Sequence, residues 1–212
     1  MTKNLKRQYN NEYPSVTQVL DVLRKIGLEN WFKMNTIAYI NEKSSKGKLI
    51  GKQIHEGIES FIETGKANIQ TDYDFEVTNA LKSFMLFKKE NPLINIRNSE
   101  LMLTSEKYGF NGTTDCIADI NGELIVIDWK SGEAKESDKP KIWDEWVYQC
   151  SAYVELYNEV NESNIKKAII VAIAKDKVSY NLQEINEDEI KGCFNEVFLP
   201  ALRILNYKKR KV

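Results

Sequence analysis

Helical and strand-like patterns of hydrophobic residues alternate along the chain and predict an order of elements. Helical spacing or a capping signal predicts helices over residues 14–27, 29–42, 48–63, 75–90, 141–158 and 188–205. Apolar runs of strand length predict strands over residues 94–104, 112–120, 123–130, 167–174 and 178–184. Two polar segments interrupt the pattern. The first ten residues are expected to be frayed, and residues 41–48 are expected to form a mobile loop.

Hydrophobic side chains occupy both faces of the hairpin predicted over residues 112–130. They are Ile117, Leu124 and Val126 on one face, and Ile125, Ile127 and Trp129 on the other. Strands that bury both faces lie between layers of helix. The order of elements therefore predicts an α/β fold with a mixed central β-sheet flanked by helices.

The length of 212 residues and the lack of a Pro-, Gly- or Ser-rich linker predict a single domain. Within it we expect a helical region over about residues 14–92, a sheet core over about 93–185 and a C-terminal helix over about 186–207. The net charge is −1, from 30 basic and 31 acidic residues, so the chain has no overall basic character. A surface for nucleic acid would therefore have to be a local patch.

The three cysteines are far apart and lack the spacing of a metal-binding motif. Three thiols cannot build a four-cysteine zinc or iron–sulfur site alone, and reduced thiols are typical of the cytoplasm. No apolar run approaches the length of a membrane span, and the N-terminus has no apolar signal region. We therefore expect a cytoplasmic protein without a membrane partner.

A tight turn in the hairpin brings two aspartates together. Asn121-Gly122 is a strong signal for a two-residue type I′ turn, which would place Ile120 opposite Glu123. Counting outward along both strands, Asp115 then faces Asp128. Lys130 lies two residues further on the same face. A residue inserted in the turn would shift this pairing and is expected to abolish any function of the pair.

Two carboxylates about 5 Å apart repel each other, and a divalent cation between them would remove that repulsion. Carboxylates suit Mg²⁺ or Mn²⁺, and one or two such ions can polarise a phosphodiester and activate water. Lys130 could orient or deprotonate the attacking water, or balance charge on phosphorus. The alternative is a surface hairpin with incidental charges.

Each of four further residues has a structural and a functional interpretation. His55, the only histidine, borders an apolar helix face, so it is either a packed residue or a ligand. Glu100, on the preceding strand, is either an exposed residue or part of the acidic site. Gln149 and Tyr153 share one face of a helix whose aromatic stripe is typical of core packing, although a buried amide needs partners.

Five short segments occur in a fixed order over residues 14–153. They are Pro14-Ser15-Val16-Thr17, Gly51-Lys52-Gln53-Ile54-His55, Gly112-Thr113-Thr114-Asp115, Ile127-Asp128-Trp129-Lys130 and Gln149-Cys150-Ser151-Ala152-Tyr153. The third and fourth resemble the G-x-x-D and D-x-K elements of the PD-(D/E)XK nuclease superfamily. The last resembles the Q-x-x-x-Y element of its RecB-like branch, which includes phage exonucleases. The resemblance implies a restriction-endonuclease-like core.

The resemblance also implies roles for individual residues. His55, Asp115, Asp128 and the backbone carbonyl of Trp129 would bind the metal, and Glu100 would reach it through water. The catalytic residues would be Asp115, Asp128 and Lys130, supported by Gln149 and Tyr153. The residues expected to contact DNA are Gln149, Tyr153, Ser15 and Thr17. Some relatives carry an iron–sulfur cluster on four cysteines, which this chain lacks, so no such cluster is expected.

The function implied is that of a Mg²⁺- or Mn²⁺-dependent deoxyribonuclease, with an exonuclease on DNA ends or single strands favoured. Its setting would be recombination, repair or replication, with a possible protein partner. A structure- or sequence-specific endonuclease on the same core is one alternative, and a non-catalytic relative that binds DNA or protein is another. The helical region over residues 29–48 could form an arch over the site, where Trp31, Phe32 and Tyr39 would stack on bases or pack in the core.

Overall fold

The computed structural model describes residues 9–23, 26–66, 69, 73–135 and 137–211. The helices are α1 Val16–Leu20, α2 Ile26–Met34, α3 Ile37–Thr64, α4 Phe75–Glu90, α5 Asp144–Asn161, α6 Glu187–Gly192 and α7 Leu199–Lys209. The strands are β1 Ile94–Ser105, β2 Phe110–Ile120, β3 Glu123–Gly132, β4 Ala168–Ala174 and β5 Tyr180–Ile185. A π-helical turn, Cys193–Phe198, joins α6 to α7.

The five strands form one mixed sheet in the order β1-β2-β3-β4-β5. Strands β3 and β4 are parallel and connected through α5, and the other neighbours are antiparallel. This arrangement confirms the predicted α/β fold with a mixed central sheet.

A layer of helices covers each face of the sheet. On one face, Ile117 and Val126 pack against side chains of α1, α5 and α7. On the other face, Ile125, Ile127 and Trp129 pack against α3 and α4. The prediction of burial on both faces is therefore confirmed for these five residues.

One position of the hairpin departs from the predicted pattern. Leu124, expected to be buried, is 39% exposed, because it lies next to the Asn121-Gly122 turn at the end of the sheet.

The N-terminal helices differ from the predicted ones. Ser15 caps α1 as expected: its hydroxyl accepts from the Gln18 N–H, and the Gln18 side chain accepts from the Ser15 N–H. The helix nevertheless ends at Leu20 rather than near residue 27. The single helix predicted over 29–42 is two helices, because the Thr36 side chain caps a new one by accepting from Tyr39 N.

The predicted mobile loop over residues 41–48 is wrong, because these residues belong to the 28-residue helix α3. Lysine and glutamate are good helix formers, and no proline interrupts the segment. The first half of α3 is largely exposed, and burial begins at Ile50. Lys46 ties this exposed half to the start of α4 through ion pairs with Asp74 at 3.1 Å and Glu76 at 3.2 Å.

The single C-terminal helix predicted over 188–205 is likewise interrupted, by the π-helical turn. Two phenylalanines of this turn, Phe194 and Phe198, stack with ring centroids 5.5 Å apart, and Phe198 lies edge-on to Phe110 of β2. Across the described part of the chain, no helix combines the length and apolar composition needed to cross a bilayer.

Candidate metal centre

The turn between β2 and β3 has the predicted conformation and sets the predicted register. Asn121 and Gly122 both have positive φ, 54° and 89°, as a type I′ turn requires. The paired residues run from Ile120 opposite Glu123 to Cys116 opposite Ile127. Counting outward from the turn therefore gives the observed pairing.

The ladder stops one pair short of the two acids, so Asp115 and Asp128 are not a regular cross-strand pair as predicted. Instead, the Trp129 N–H donates to Oδ2 of Asp115 at 2.9 Å. The Trp129 ring is buried in the core edge-on to Phe84 and Phe87, which fixes the backbone between Asp128 and Lys130.

Three elements bring three potential ligands together. His55 of α3, Glu100 of β1 and Asp115 of β2 each offer an atom within 4.8 Å of the others. The Nδ1 atom of His55 lies 3.7 Å from Oε1 of Glu100 and 3.9 Å from Oδ1 of Asp115. The neighbouring Glu100 carboxylate raises the pKa of His55, although burial acts in the opposite direction. The structure thus places the predicted histidine beside two predicted acids.

Glu100 reaches this cluster through an unusual backbone conformation. Its φ is 49°, in the left-handed region, where a non-glycine residue costs about 1–3 kcal/mol. It lies between the pairs Ser99–Cys116 and Leu101–Thr114, at the same interruption of the β1–β2 ladder as Asp115. Glu100 and Asp115 therefore lie at the same position of the ladder, where the two strands do not form a regular pair.

Asp128 is fully buried beside Lys130, whose Nζ lies 2.6 Å from its Oδ2. Neither Asp128 oxygen has a partner with hydrogen-bond geometry among the described residues. Burial lowers the pKa of Lys130, but the charges of Asp128 and Asp115 outweigh it and the net shift is upward. The neighbouring carboxylates therefore favour the protonated form of Lys130.

The electrostatics of the acids fit a divalent cation. Burial, followed by the charge of Asp128, raises the pKa of Asp115 to about 7. Its side chain is only 12% exposed. Two largely buried carboxylates, one of them beside the His55 imidazole, suit a divalent ion, whose charge would stabilise the ionised acids. His55, Glu100 and Asp115 could hold it together, whereas Asp128, whose charge acts on Asp115, lies outside this group of three.

Helix α5 covers the acids with the glutamine and tyrosine predicted from the sequence. Gln149 Nε2 donates to Tyr153 Oη at 2.7 Å. Burial, and then the charges of Asp128 and Asp115, raise the pKa of Tyr153 well above its usual value, so its hydroxyl stays neutral. Tyr153 therefore lies close enough to both acids to respond to their charge, and the half-buried amide of Gln149 has the Tyr153 hydroxyl as a partner.

Gly112 has a packing role that its place in the sequence motif does not indicate. A Cβ there would lie 3.0 Å from Cε1 of Tyr153 and 2.8 Å from Cδ2 of Leu156. Glycine therefore lets the Tyr153 ring pack directly on β2, three residues before Asp115.

The site opens into a cleft of about 370 Å³. Its lining residues are Lys52, His55, Glu56, Glu59, Glu100, Met102 and Thr113. Ser15 and Thr17, predicted to contact DNA, are not among them. Ser15 caps α1 and bridges to Asn111, and Thr17 is exposed on α1. The cleft also contains Lys52 and Thr113, which the sequence alone did not identify. They belong to the segments that contain His55 and Asp115, where no role was assigned to them.

Several known proteins are similar to this chain in sequence. The sequence matches the PD-(D/E)XK nuclease superfamily over residues 31–193, well over half of the chain. Mitochondrial genome maintenance exonuclease 1 of Homo sapiens is 29% identical over 181 residues, which are 78% of this chain and 50% of the relative. The Xenopus tropicalis protein of the same name is 26% identical over 221 residues, 95% of this chain and 59% of the relative.

The chain thus spans about half the length of the curated relatives it matches. Among solved structures, the alkaline exonuclease of Laribacter hongkongensis has a TM-score of 0.42 and 15% identity, over 94% of this chain and 93% of that one. The match to the superfamily covers His55, both aspartates, Lys130, Gln149 and Tyr153, on a mixed sheet flanked by helices. The chain therefore belongs to the PD-(D/E)XK nuclease superfamily.

Proposed function

We propose that this protein is a metal-dependent deoxyribonuclease, acting as an exonuclease on DNA ends or single strands. The observation that carries the proposal is the cluster of His55, Glu100 and Asp115 beside the buried pair of Asp128 and Lys130. Membership of a nuclease superfamily supports the reaction class, and the names of the two curated relatives support exonuclease activity.

The proposed metal ligands are His55, Asp115, Asp128 and the carbonyl of Trp129, with Glu100 acting through water. A bound Mg²⁺ or Mn²⁺, as one ion or two, would polarise the phosphodiester and lower the pKa of an attacking water. Asp128 can supply an oxygen for this task, because the Lys130 ammonium lies against Oδ2 and Oδ1 has no partner among the described residues.

Lys130 supplies positive charge inside the site. Its protonated Nζ holds Asp128 in place and can donate to a phosphate oxygen as negative charge builds up on the phosphorus. Tyr153 and Gln149 fix the position of β2 beside it, because the Tyr153 ring packs on Gly112. We propose that these two residues hold the acids in position and contact the DNA.

The exposed helices α2 and α3 support a preference for single strands or ends. Trp31 lies 5.4 Å from Phe32 and 6.3 Å from Tyr39 between ring centroids, and Phe32 and Tyr39 are exposed. Aromatic rings of this kind can stack on the bases of a single strand. We propose that this cluster lies on the path of the DNA, with Ser15 and Thr17 as further contacts.

Cleavage of labelled DNA in Mg²⁺ or Mn²⁺ tests the reaction. Wild-type protein should degrade it, and Asp128→Asn should lose at least about 10³-fold in rate, because the buried ligand loses its charge. Asp119→Asn is the matched control: Asp119 is on β2 but pairs with Arg97 outside the cluster. Equal rates for Asp128→Asn and wild type would contradict the proposal.

The same assay separates the two modes of attack. An exonuclease should degrade end-labelled linear DNA and leave closed circular DNA intact, whereas an endonuclease should nick the circles. Labels at the 5′ or 3′ end of single and double strands then define polarity and strand preference. Cytoplasmic location and a partner from recombination, repair or replication stay predictions.

A further inference from the structure

The segment before α1 is bound to the beginning of β2 by one buried asparagine. Asn111 Nδ2 donates to the carbonyls of Asn10 at 2.8 Å and Tyr13 at 2.9 Å, and its Oδ1 accepts from Thr104 Oγ1 at 2.7 Å. The Asn111 backbone N–H donates to Pro14 O at 2.8 Å. A buried side chain with its donors and acceptor satisfied fixes the path of this segment.

The outer end of the segment reaches the wall of the cleft. The Tyr9 hydroxyl is hydrogen-bonded to Oγ1 of Thr113, which lines the cleft two residues before Asp115. The expectation that the first ten residues are frayed is therefore wrong for Tyr9 and Asn10. Residues 1–8 lie outside the described part of the chain.

Among the described residues, the two hydroxyls leave one hydrogen-bond donor without a partner. Each hydroxyl has a single O–H, and the bond between Tyr9 and Thr113 uses one of them. The second O–H lies at a cleft wall otherwise rich in carboxylates, which accept but do not donate when ionised. A ligand that binds this O–H would have to be a hydrogen-bond acceptor.

The α3 wall of the same cleft carries a cation. Lys52 precedes His55 by almost one helical turn and lines the cleft. Its Nζ is 3.5 Å from Oε1 of Glu56, but the side chain is 71% exposed. Such a surface pair contributes little, so Lys52 can exchange Glu56 for a stronger acceptor at small cost.

We propose that Tyr9, Thr113 and Lys52 form a subsite for a backbone phosphate next to the one that is cleaved. The inference rests on the proposed nuclease function, which supplies the nucleic acid. Phosphate oxygens accept from hydroxyls and attract lysine, and such contacts position a strand without reading its sequence. The subsite would hold the strand in register with Asp115 and Asp128.

Binding measured without cleavage tests this subsite. The parent is the Asp128→Asn protein, and the probe is a fluorescent single-stranded DNA oligonucleotide in Mg²⁺, followed by anisotropy. Tyr9→Phe in that background should weaken binding about tenfold, because a hydrogen bond to a charged group is lost. Tyr13→Phe is the matched control, since its hydroxyl donates to Glu106 at 3.0 Å. It should bind within about twofold of the parent.

A neutral methylphosphonate placed at each linkage in turn locates the contact. At one linkage, replacing the phosphate by methylphosphonate should weaken binding to the parent. The same replacement should not weaken binding to Tyr9→Phe further, because the two changes remove the same contact. Thr113→Val should behave like Tyr9→Phe. Lys52→Gln should reduce the slope of log affinity against log salt by about 0.7, the value for one phosphate of a single strand.

The outcomes of the two proposals are separable. Parent-like affinity in Tyr9→Phe, equal methylphosphonate losses in both proteins, or no binding by the parent would each overturn the subsite. Failure of the wild-type protein to cleave DNA, with Tyr9-dependent binding intact, would overturn the nuclease function alone. Equal melting temperatures of Tyr9→Phe and its parent would show that the affinity change is local.

Discussion

The two aspartates of the candidate metal centre occupy different surroundings. Asp128 is fully buried with Lys130 beside it, whereas Asp115 is slightly exposed and lies in a cluster with His55 and Glu100, which line the cleft. A cation held between them would have buried ligands on one side and an open cleft on the other. That asymmetry is suitable for catalysis, because a substrate oxygen can approach from the open side only.

The packing of Tyr153 on Gly112 can be tested by adding one methyl group. Gly112→Ala would push a Cβ to 3.0 Å from the Tyr153 ring, which cannot rotate away as the Leu156 methyl can. We expect a loss of about 1–3 kcal/mol in the free energy of unfolding from overpacking. We also expect cleavage to fall about tenfold, since small displacements near reacting groups are costly. Chemical denaturation and rate measurements check the two effects.

Gly47→Ala is the control for this substitution. Gly47 lies on the exposed half of α3, and a Cβ there meets nothing within 4 Å. Alanine should stabilise the helix by about 0.5–1 kcal/mol and leave the rate unchanged. An unchanged rate and unchanged stability in Gly112→Ala would contradict the packing argument.

The sequence was sufficient for most of the candidate residues but not for their exact contacts. Asp115 and Asp128 could be placed because a two-residue turn fixes which residues lie near each other. The left-handed conformation of Glu100 could not, because tertiary contacts impose it against local preference. Likewise, no local pattern connects Tyr9 with Thr113, which are 104 residues apart.

Among the strands, β3 is held by more than the turn that precedes it. It pairs with β4 from Val126 opposite Ala168 to Gly132 opposite Ala174, and it buries side chains on both faces. A slip by one residue would exchange the positions of Ile127 and Asp128, which would expel a core residue and bury a charge against the opposite layer. The register is therefore fixed by the core and by β4 as well as by the turn.

Because the core and β4 also fix the register, an insertion in the turn should have a smaller effect than the sequence alone predicts. One glycine inserted between Asn121 and Gly122 should enlarge the exposed loop at a cost of about 1 kcal/mol, and cleavage should be retained. One residue inserted between Val126 and Ile127 should abolish it, because the core register is lost. Circular dichroism and the cleavage assay check both. Loss of activity in a folded turn variant would show that the turn alone sets the register.

Helices were harder to delimit from sequence than strands. The strand bounds followed from apolar runs between turn residues, and α4 followed from the Asn91-Pro92 stop. The exposed half of α3 has no apolar face to indicate helix, so its polar residues looked like a loop. The π-helical turn depends on the stacking of Phe194, Phe198 and Phe110, which no local period encodes.

For the protein as a whole, the metal centre is a source of instability that a cation should relieve. The folded-state pKa of Asp115, about 7, lies above its usual value of 3.8, so the folded protein holds the extra proton between these values. Stability therefore falls as pH rises through this window, because ionisation is easier in the unfolded chain. Above pH 7 the folded protein carries the buried charge.

Thermal unfolding at pH 8 should reveal this conflict. Saturating Mg²⁺ or Mn²⁺, at about 100 times the dissociation constant, should stabilise the wild type by about 2.7 kcal/mol, or roughly 5–10 °C. Asp115→Asn should lose that shift, yet melt above the wild type in EDTA because the buried charge is gone. Asp119→Asn should keep the shift. A full metal shift in Asp115→Asn would exclude Asp115 as a ligand.

The continuity of α3 gives this architecture a mechanical property. Its 28 residues extend about 42 Å without a break, and the exposed end at Ile37 lies about 27 Å along the helix from His55 in the buried part. Between the two, the ion pairs of Lys46 fasten the helix to α4. The two halves of α3 form one rigid element, and Lys46 attaches it to α4 between its exposed end and His55. A ligand that displaced the exposed half of α3 would therefore also displace the imidazole of His55.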